Sequence, residues 1–475
     1  MRARLVAALG LLLAAGPVTP VPADAAVVHD VQIRESTYAP GEVRIAKGDT
    51  VRWTAIDEGH TVTADDERFD FHRTRTLDTG DRVEWSAPGR DATIGYYCRV
   101  HGAPGGLGMA GVIIVGSGGP KPPPPPQGPT RTVPSRTFPT IAKGVAGARP
   151  GTVITIRPGV YRESVVVREP NIEIRGGGRT AGAVVLDGDL TADVGLTVLA
   201  PGVRISGIAT RRYRTAGILW RGAHGFAADR VESHSNDLYG LRVEGSRNGV
   251  ISRSYVTGAV AAGISVDTCA DCGLLVTRVG ADGNAAALVA TGSTGVVVRD
   301  STFRRNATGI VLRTQPGGAV TAGVHIYGNT LTDNAAPDVR VLPPSERLEV
   351  PAGVGVWAAG ATHVRVENNT ISGHVYAVAL TALGGPAQRS QVVGNVVSGS
   401  TVADLAWDGI GVGTCFGANA RPDGRAPTSE PPFLATAYSC ALPVTVGVPH
   451  PKVQADIAAH AFRTYYCRVT GVGCI

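Results

Sequence analysis

The chain has 475 residues, enough for two or three domains, and a formal net charge of +6. Its 63 glycines and 32 prolines, with only 5% aromatic residues, favour many turns and exclude a protein built from long helices. No long run of basic residues is interleaved with aromatic residues, so the positive charge does not indicate nucleic-acid binding.

Residues 1–25 have the pattern of a signal peptide. Arg2 and Arg4 precede a short apolar run, and Ala23-Asp24-Ala25 has the small residues of a cleavage site. The apolar run is shorter than the roughly 20 residues that cross a bilayer. No other stretch is long and apolar enough to do so. We therefore expect an exported, secreted protein without a transmembrane segment.

A short Gly-rich loop is predicted after a strand-like run, and it carries a thiol, an imidazole and a thioether. Cys98, His101 and Met109 lie within twelve residues, and a second imidazole, His60, lies upstream. Two histidines, a cysteine and a weak axial methionine are the ligands of a blue-copper electron-transfer centre. Met109 is the only methionine besides Met1, and Cys98 is the only cysteine in the first half of the chain. The alternative is an ordinary buried cysteine, a surface histidine and a core methionine.

The residues around this stretch resemble plastocyanin-like cupredoxins over about residues 27–116. The similarity rests on the segments Gly48–Trp53, His60–Thr63, Tyr97–His101 and Gly108–Gly111. It implies a small Greek-key β-sandwich in which His60, Cys98, His101 and Met109 bind one type 1 copper for one-electron transfer to an unidentified redox partner. The seven residues between His101 and Met109 form a longer loop than is usual in plastocyanin or amicyanin.

Residues 117–137 form a predicted linker. The five-proline run Pro122–Pro126 favours an extended polyproline conformation, which behaves as a semi-rigid spacer. We therefore expect a domain boundary here, and a spacer that holds the first domain away from the second.

The region 138–405 repeats. A small residue followed by an apolar residue recurs with gaps of 23, 23, 24, 22 and 46, the last being two coils or one coil with an insertion at Pro343-Pro344. A period of 22–24 residues with glycine and asparagine at turns indicates a solenoid, and the consensus of leucine-rich repeats is absent. We expect stacked side-chain amides at recurring asparagines: Asn236, Asn284, Asn306 and Asn334.

The start of this region resembles right-handed parallel β-helix proteins of the pectate-lyase-like and NosD-like kind. The resemblance rests on a predicted capping helix within residues 138–146 and on Pro150–Val167, which is similar to a first coil. It implies an all-β chain: an N-terminal Greek-key cupredoxin β-sandwich followed by a β-helix. The fold hosts lyases, hydrolases, esterases and non-enzymes, so the resemblance implies no single activity.

Six cysteines follow residue 268, which in an exported protein predicts three disulfides. Proximity in sequence favours Cys269–Cys272, Cys415–Cys440 and Cys467–Cys474. A redox-active or metal-binding site is the alternative for Cys269 and Cys272. Residues 406–475 lose the repeat, and we expect this disulfide-containing tail to cover the open end of the solenoid.

Alternation along the repeated strands predicts an outward column of side chains. If Ile218 and its equivalents point inward, the residues three positions later point outward: Arg221, Glu244, Asp267, Thr291 and Arg313. Glu244 and Asp267 would then be about 4.8 Å apart, close to the separation of about 5–5.5 Å in a retaining glycosidase. With calcium, a carboxylate cluster beside arginines would instead suit a lyase. The alternative is a surface charge ladder.

Two functions therefore compete. The first is an exported copper protein for one-electron transfer, whose β-helix binds an extracellular polysaccharide, with Trp357 expected to stack on a sugar. The second is a carbohydrate-active β-helix enzyme, a glycoside hydrolase or polysaccharide lyase, with an accessory copper domain. The copper hypothesis identifies each metal ligand. The enzyme hypothesis depends on four candidate catalytic residues: Glu244, Asp267, Arg221 and Arg313.

Overall fold

A computed structural model describes the chain in segments: 28–34, 37–45, 47–64, 71, 76–89, 92–103, 107–115, 128–336, 352–442, 445–456 and 459. The predicted signal peptide, the five-proline run and the predicted Cys467–Cys474 pair lie outside the described residues. Almost every described element is a β-strand, and no helix in these segments is long and apolar enough to cross a membrane.

The first domain is a sandwich of two mixed sheets. The first sheet contains, in spatial order, Thr37–Ala39, Val28–Arg34, Thr50–Ala55 and Arg82–Ser86. The second contains Glu42–Ile45, Leu107–Val115, Ala92–Ala103 and Thr63–Ala64. In Thr50–Ala55 the buried residues Val51, Trp53 and Ala55 alternate with half-buried ones. Such alternation buries one face of each sheet and closes a core between them.

The second domain is a solenoid with three parallel sheets, each receiving one strand from each coil. Sheet 1 contains Thr130–Val133, Val153–Ile156, Glu173–Gly176, Arg204–Ser206, Ala227–Asp229, Val250–Ser252, Leu274–Thr277, Val296–Arg299, His325–Tyr327, Arg365–Glu367, Gln391–Val393 and Cys415–Gly417. Sheet 2 contains Gly159–Tyr161, Val184–Asp187, Ala209–Arg211, Glu232–His234, Tyr255–Thr257, Gly280–Asp282, Thr302–Arg304, Thr330–Thr332, Thr370–Ser372 and Val396–Ser398. Sheet 3 contains Val165–Val167, Val194–Val198, Ala216–Arg221, Tyr239–Glu244, Ala262–Asp267, Ala286–Thr291, Thr308–Arg313, Val354–Ala359, Tyr376–Thr381, Ala403–Trp407 and Ser429–Glu430.

The apolar repeat lines the inside of sheet 3. Ile218, Leu241, Ile264, Leu288 and Ile310 pair in register on consecutive coils and are fully buried. Ile310 then pairs directly with Val356, so the 46-residue gap is one coil with inserted residues and not two coils. The predicted insertion point at Pro343-Pro344 lies outside the described residues.

Both ends of the solenoid are covered. At the N-terminal end, helix Ile141–Val145 is capped by Thr140, and the Glu163 carboxylate accepts hydrogen bonds from two of its free N–H groups. At the other end, helix Leu434–Ala437 inserts Leu434 into the core, and a disulfide joins Cys415 to Cys440. The sheets extend from Thr130 to Glu430, so the expected limits of 138 and 405 fall inside them.

Two asparagine ladders run through the turns. In the expected ladder, the Asn284 side-chain amide donates to Asn306 Oδ1 at 2.9 Å, and Asn306 donates to Asn334 at 2.8 Å. Asn236 instead bonds to Ser233, because the next coil has Ala259 at this position. A second ladder was not anticipated: Asn329, Asn369, Asn395 and Asn419.

The two domains are in contact, which corrects the expectation that the linker keeps them apart. The Tyr327 hydroxyl of sheet 1 donates to Glu42 Oε1 of the sandwich at 3.3 Å. A polyproline run limits how far two domains can separate. It does not prevent the second domain from contacting the first where their surfaces carry complementary groups.

Candidate metal centre

Three separate segments of the sandwich carry the predicted ligands. Cys98 and His101 lie on strand Ala92–Ala103, and Met109 lies on the neighbouring strand Leu107–Val115. The pairing of these strands shifts register between Tyr97 and Gly102. Cys98 and His101 therefore sit on an irregular strand and not on a free loop, and such an irregularity re-aims side chains. His60 is positioned by a single bridge to Leu77.

The side chains of His60, Cys98 and His101 converge. Cys98 Sγ lies 4.0 Å from His60 Nδ1 and 3.5 Å from His101 Nδ1, and one ligand atom from each residue lies within 4.8 Å of the others. Among the described residues, these three form the one such group of histidine, cysteine and acidic side chains. Met109 is buried in the same hydrophobic core as Cys98.

Neighbouring groups hold the donors in orientation. His60 Nε2 lies 2.9 Å from Asp57 Oδ1, and this contact with the carboxylate leaves Nδ1 facing the thiol. The Thr61 N–H donates to Cys98 Sγ at 3.3 Å, and the Thr61 carbonyl accepts from the Tyr38 hydroxyl at 2.5 Å. None of Asp57, Thr61 and Tyr38 was predicted to support the site, although Asp57 and Thr61 lie close to His60 in the sequence.

The environment of the donors suits a metal ion. Cys98 is a fully buried free thiol, while His101 reaches the surface. Burial, and then the nearby His60, lowers the pKa of His101, which favours the neutral imidazole that a metal requires. A thiol and two imidazoles with a thioether in the same core match the donor preferences of copper.

The predicted column on sheet 3 also forms. Arg221, Glu244, Asp267, Thr291 and Arg313 pair in register on consecutive strands. The contacts favour the charge-ladder alternative for the carboxylates: Arg221 Nη2 lies 3.0 Å from Glu244 Oε2, and Arg242 Nε lies 3.1 Å from Asp267 Oδ2. Asp267 also accepts a hydrogen bond from Ser265 at 2.8 Å. Burial nevertheless raises the pKa of Asp267.

Arg242 and Tyr239 were missed as members of this group. The guanidinium of Arg242 bridges the two carboxylates and lies 4.7 Å from the centre of the Tyr239 ring. Arg242 precedes Glu244 by two positions, so the same alternation that identified the column places it on the same face.

Two of the outward residues are not accessible. Trp357 is only 3% exposed, and its indole N–H donates to Thr381 Oγ1 at 3.0 Å. The expectation of an exposed, sugar-stacking tryptophan is therefore wrong. Trp357 does lie on the outward face, but it belongs to an apolar cluster that includes Val453 from helical residues 451–456. Thr291 is also buried.

The predicted disulfides within the described residues are present. Cys269 bonds to Cys272 and Cys415 bonds to Cys440. Both Cys269 and Cys272 are buried. The disulfide, and not a metal site, therefore accounts for the first pair in this structure.

The β-helix also matches a family of known proteins. Residues 201–420 match the family model described as a right-handed β-helix region. No curated protein matches the sequence. Among solved structures, an alginate lyase from Paenibacillus sp. is 16% identical, with a TM-score of 0.47, 59% of this chain covered and 98% of that chain. A purple cupredoxin from Nitrosopumilus maritimus is 26% identical, with a TM-score of 0.15 and coverages of 18% and 97%. Amicyanin from Paracoccus versutus is 30% identical, with a TM-score of 0.16 and coverages of 20% and 85%.

The predicted fold class is confirmed by the strand topology and by the family match. The chain is an all-β protein that joins a cupredoxin-like sandwich to a right-handed parallel β-helix.

Proposed function

We propose that this protein is an exported copper protein in which His60, Cys98, His101 and Met109 hold one type 1 copper for one-electron transfer. The observation that carries the proposal is the convergence of a buried free thiol and two imidazole nitrogens, with one ligand atom of each residue within 4.8 Å of the others. Copper held by such ligands supplies one-electron redox chemistry.

The protein's contribution is to hold the donors in place and keep water out. Cys98 and His60 are buried, so the thiol side of the site is dry. Asp57 orients His60, and the Thr61 N–H stabilises negative charge on Cys98 Sγ. These contacts fix the donors before any metal arrives, which keeps reorganisation small on a change of charge. His101 is the ligand that reaches the surface, where an electron partner would approach.

The ligand set is tested by loading the purified protein with Cu(II). We expect an intense visible absorption band from the thiolate, and Cys98→Ser should abolish it. His234→Ala, which removes a half-exposed histidine on sheet 2 of the β-helix, is the control and should leave the band unchanged. A band of wild-type intensity in Cys98→Ser would exclude this site.

The role of Met109 is tested separately. Met109→Leu should keep the visible band and raise the midpoint potential, because a weak donor to Cu(II) is lost. A redox titration of both proteins measures the shift. An unchanged potential would remove Met109 from the ligand set while leaving the other three donors in place.

For the β-helix we propose binding of an extracellular polysaccharide along the column on sheet 3. This second part is supported by the cluster of partly exposed, mutually paired side chains Arg221, Arg242, Glu244 and Asp267. Paired guanidinium and carboxylate groups present fixed donors and acceptors to sugar hydroxyls. The alternative is a glycosidase or lyase, for which the raised pKa of Asp267 suits a proton donor.

A screen of acidic and neutral glycans separates these alternatives. Binding and reducing-end release are measured for wild type, Glu244→Gln and Asp267→Asn, with Glu232→Gln on sheet 2 as the control. Weaker binding in the two column variants without release supports a binding face. Release that Asp267→Asn abolishes while binding persists supports an enzyme. Wild-type behaviour in both variants would remove the column from the function.

A further inference from the structure

A group of polar side chains joins the two domains. Glu42 of the sandwich accepts a hydrogen bond from the Tyr327 hydroxyl at 3.3 Å, and its Oε2 lies 3.7 Å from His325 Nδ1. The other nitrogen of His325 lies 3.0 Å from Glu367 Oε2. The side chains of Glu42 and His325 are only 12% and 13% exposed. Charged side chains buried to this extent need hydrogen-bond or ion-pair partners. Glu42 and His325 each have such a partner in the other domain.

The backbone of the sandwich also fits closely against sheet 1. A Cβ atom at Gly41 would lie 3.0 Å from Arg365 Nη2, so the absence of a side chain permits the approach. Arg365 Nη2 lies 3.3 Å from Glu367 Oε2, which orients the guanidinium.

A cavity of about 520 Å³ lies beside these contacts. Its walls come from both domains: Tyr38, Met109 and Ala110 on the sandwich, and His325 and Gln391 among the residues of sheet 1. The cavity exists only while the two domains are together, and its sandwich wall includes the proposed copper ligand Met109.

We infer that the outer face of sheet 1 is a docking surface for the chain's own sandwich domain, held by Glu42 against His325 and Tyr327 and by Gly41 against Arg365. The partner is fixed by complementary groups: the Glu42 carboxylate meets an imidazole and a hydroxyl of sheet 1, and the Gly41 backbone leaves room for a guanidinium. Residues 116–127 join the two domains covalently, so docking is intramolecular. A modest interface therefore suffices.

Docking sets which side of the sandwich remains open. The Met109 side turns toward the β-helix, while His101 reaches solvent. A redox partner would then approach from the His101 side alone. This consequence depends on the proposed copper site, whereas the docking itself does not.

Small-angle X-ray scattering of the metal-free full chain tests the docking. The wild type should be compact. Glu42→Arg places a cation against His325 and Arg365, and Arg365→Glu places an anion against Glu42 and Glu367; each should release the sandwich. Twelve residues span at most about 37 Å at about 3.1 Å per residue, which is the upper limit for the growth of the maximum dimension.

Glu84→Arg is the matched control, since it reverses a charge on the first sandwich sheet, where Glu84 pairs with Arg52, and it should remain compact. If Glu42→Arg unfolds the sandwich, Arg365→Glu reports independently because it lies in the other domain. An extended wild type, or compact profiles in both single variants, would overturn the docking. Because no copper is present, neither outcome affects the proposed copper site.

Discussion

The sandwich and the β-helix use buried polar groups in opposite ways. In the sandwich, a few polar groups from irregularly spaced segments converge on one point and leave their donor atoms facing one another. In the β-helix, buried asparagines recur on successive coils and satisfy one another and the backbone. Polar groups whose donor atoms converge on one point can bind a ligand. Polar groups that form hydrogen bonds with one another stabilise the fold instead.

The asparagine ladder provides the strongest test of this contrast. Asn306 donates to Asn334 and to two backbone carbonyls, and it accepts from the Asn284 backbone and side chain. Asn306→Ala leaves these buried groups unpaired, and we expect the free energy of unfolding to fall by about 3–5 kcal/mol in urea denaturation. Asn419→Ala, at the half-buried end of the other ladder, should cost less. Equal losses of unfolding free energy in the two variants would contradict this explanation.

Cys98→Ser, in contrast, should abolish the copper absorption band while changing the free energy of unfolding far less.

The two disulfides of the β-helix differ in the loops that they close. Cys415 and Cys440 are 25 residues apart, so replacing both by serine should lower the free energy of unfolding by about 3.5 kcal/mol in the chain-entropy model. Cys269 and Cys272 are 3 residues apart, and the same replacement should cost about 2 kcal/mol. Denaturant titration of both double variants measures the difference, and a larger loss at Cys269 and Cys272 would contradict it.

Cys98 should be the single free thiol of the chain. Thiol titration of the denatured, metal-free protein tests this, together with the predicted Cys467–Cys474 pair. Three or more free thiols would contradict the three-disulfide assignment and would weaken the distinction between one convergent cysteine and six structural ones.

Asp187 provides a pH-dependent stability effect similar in size to that of the Cys269–Cys272 pair. Hydrogen bonds from Arg212, opposed by burial, lower its pKa from 3.8 to about 2. A carboxyl with a lowered pKa stabilises the fold above its unfolded pKa, and this contribution disappears as the pH falls from about 4 through about 2. We expect a loss of roughly 2 kcal/mol over this range. Asp187→Asn should be less stable near neutral pH and should lack this dependence, while the more exposed Asp189→Asn should retain it. The free energy of unfolding is measured against pH for each protein. If it falls equally in wild type and in Asp187→Asn between about pH 4 and pH 2, Asp187 is not the source of the pH dependence.

Several features of the fold were predictable because they depend on short-range rules. Alternation placed Ile218 and its equivalents inside sheet 3 and Arg221, Glu244 and Asp267 outside, since side chains alternate strictly along a strand. Proximity predicted the Cys269–Cys272 and Cys415–Cys440 disulfides. The second asparagine ladder escaped notice because its members are 40, 26 and 24 residues apart, so an insertion hides the period.

The sequence by itself determined the all-β class, the two-domain order, the coil period and the donor types near Cys98, because each depends on residue identity and local spacing. Tertiary structure alone decided what covers the outside of each element. Alternation orients Trp357 outward but cannot show that Val453, almost a hundred residues later, packs in the same cluster. It equally cannot show that Arg242 neutralises Asp267 from the preceding coil, or that Glu42 meets His325 and Tyr327 across a proline-rich tether. Burial and ion pairing depend on neighbours in space, and a solenoid brings distant segments together wherever a loop or tail folds back over its sheets.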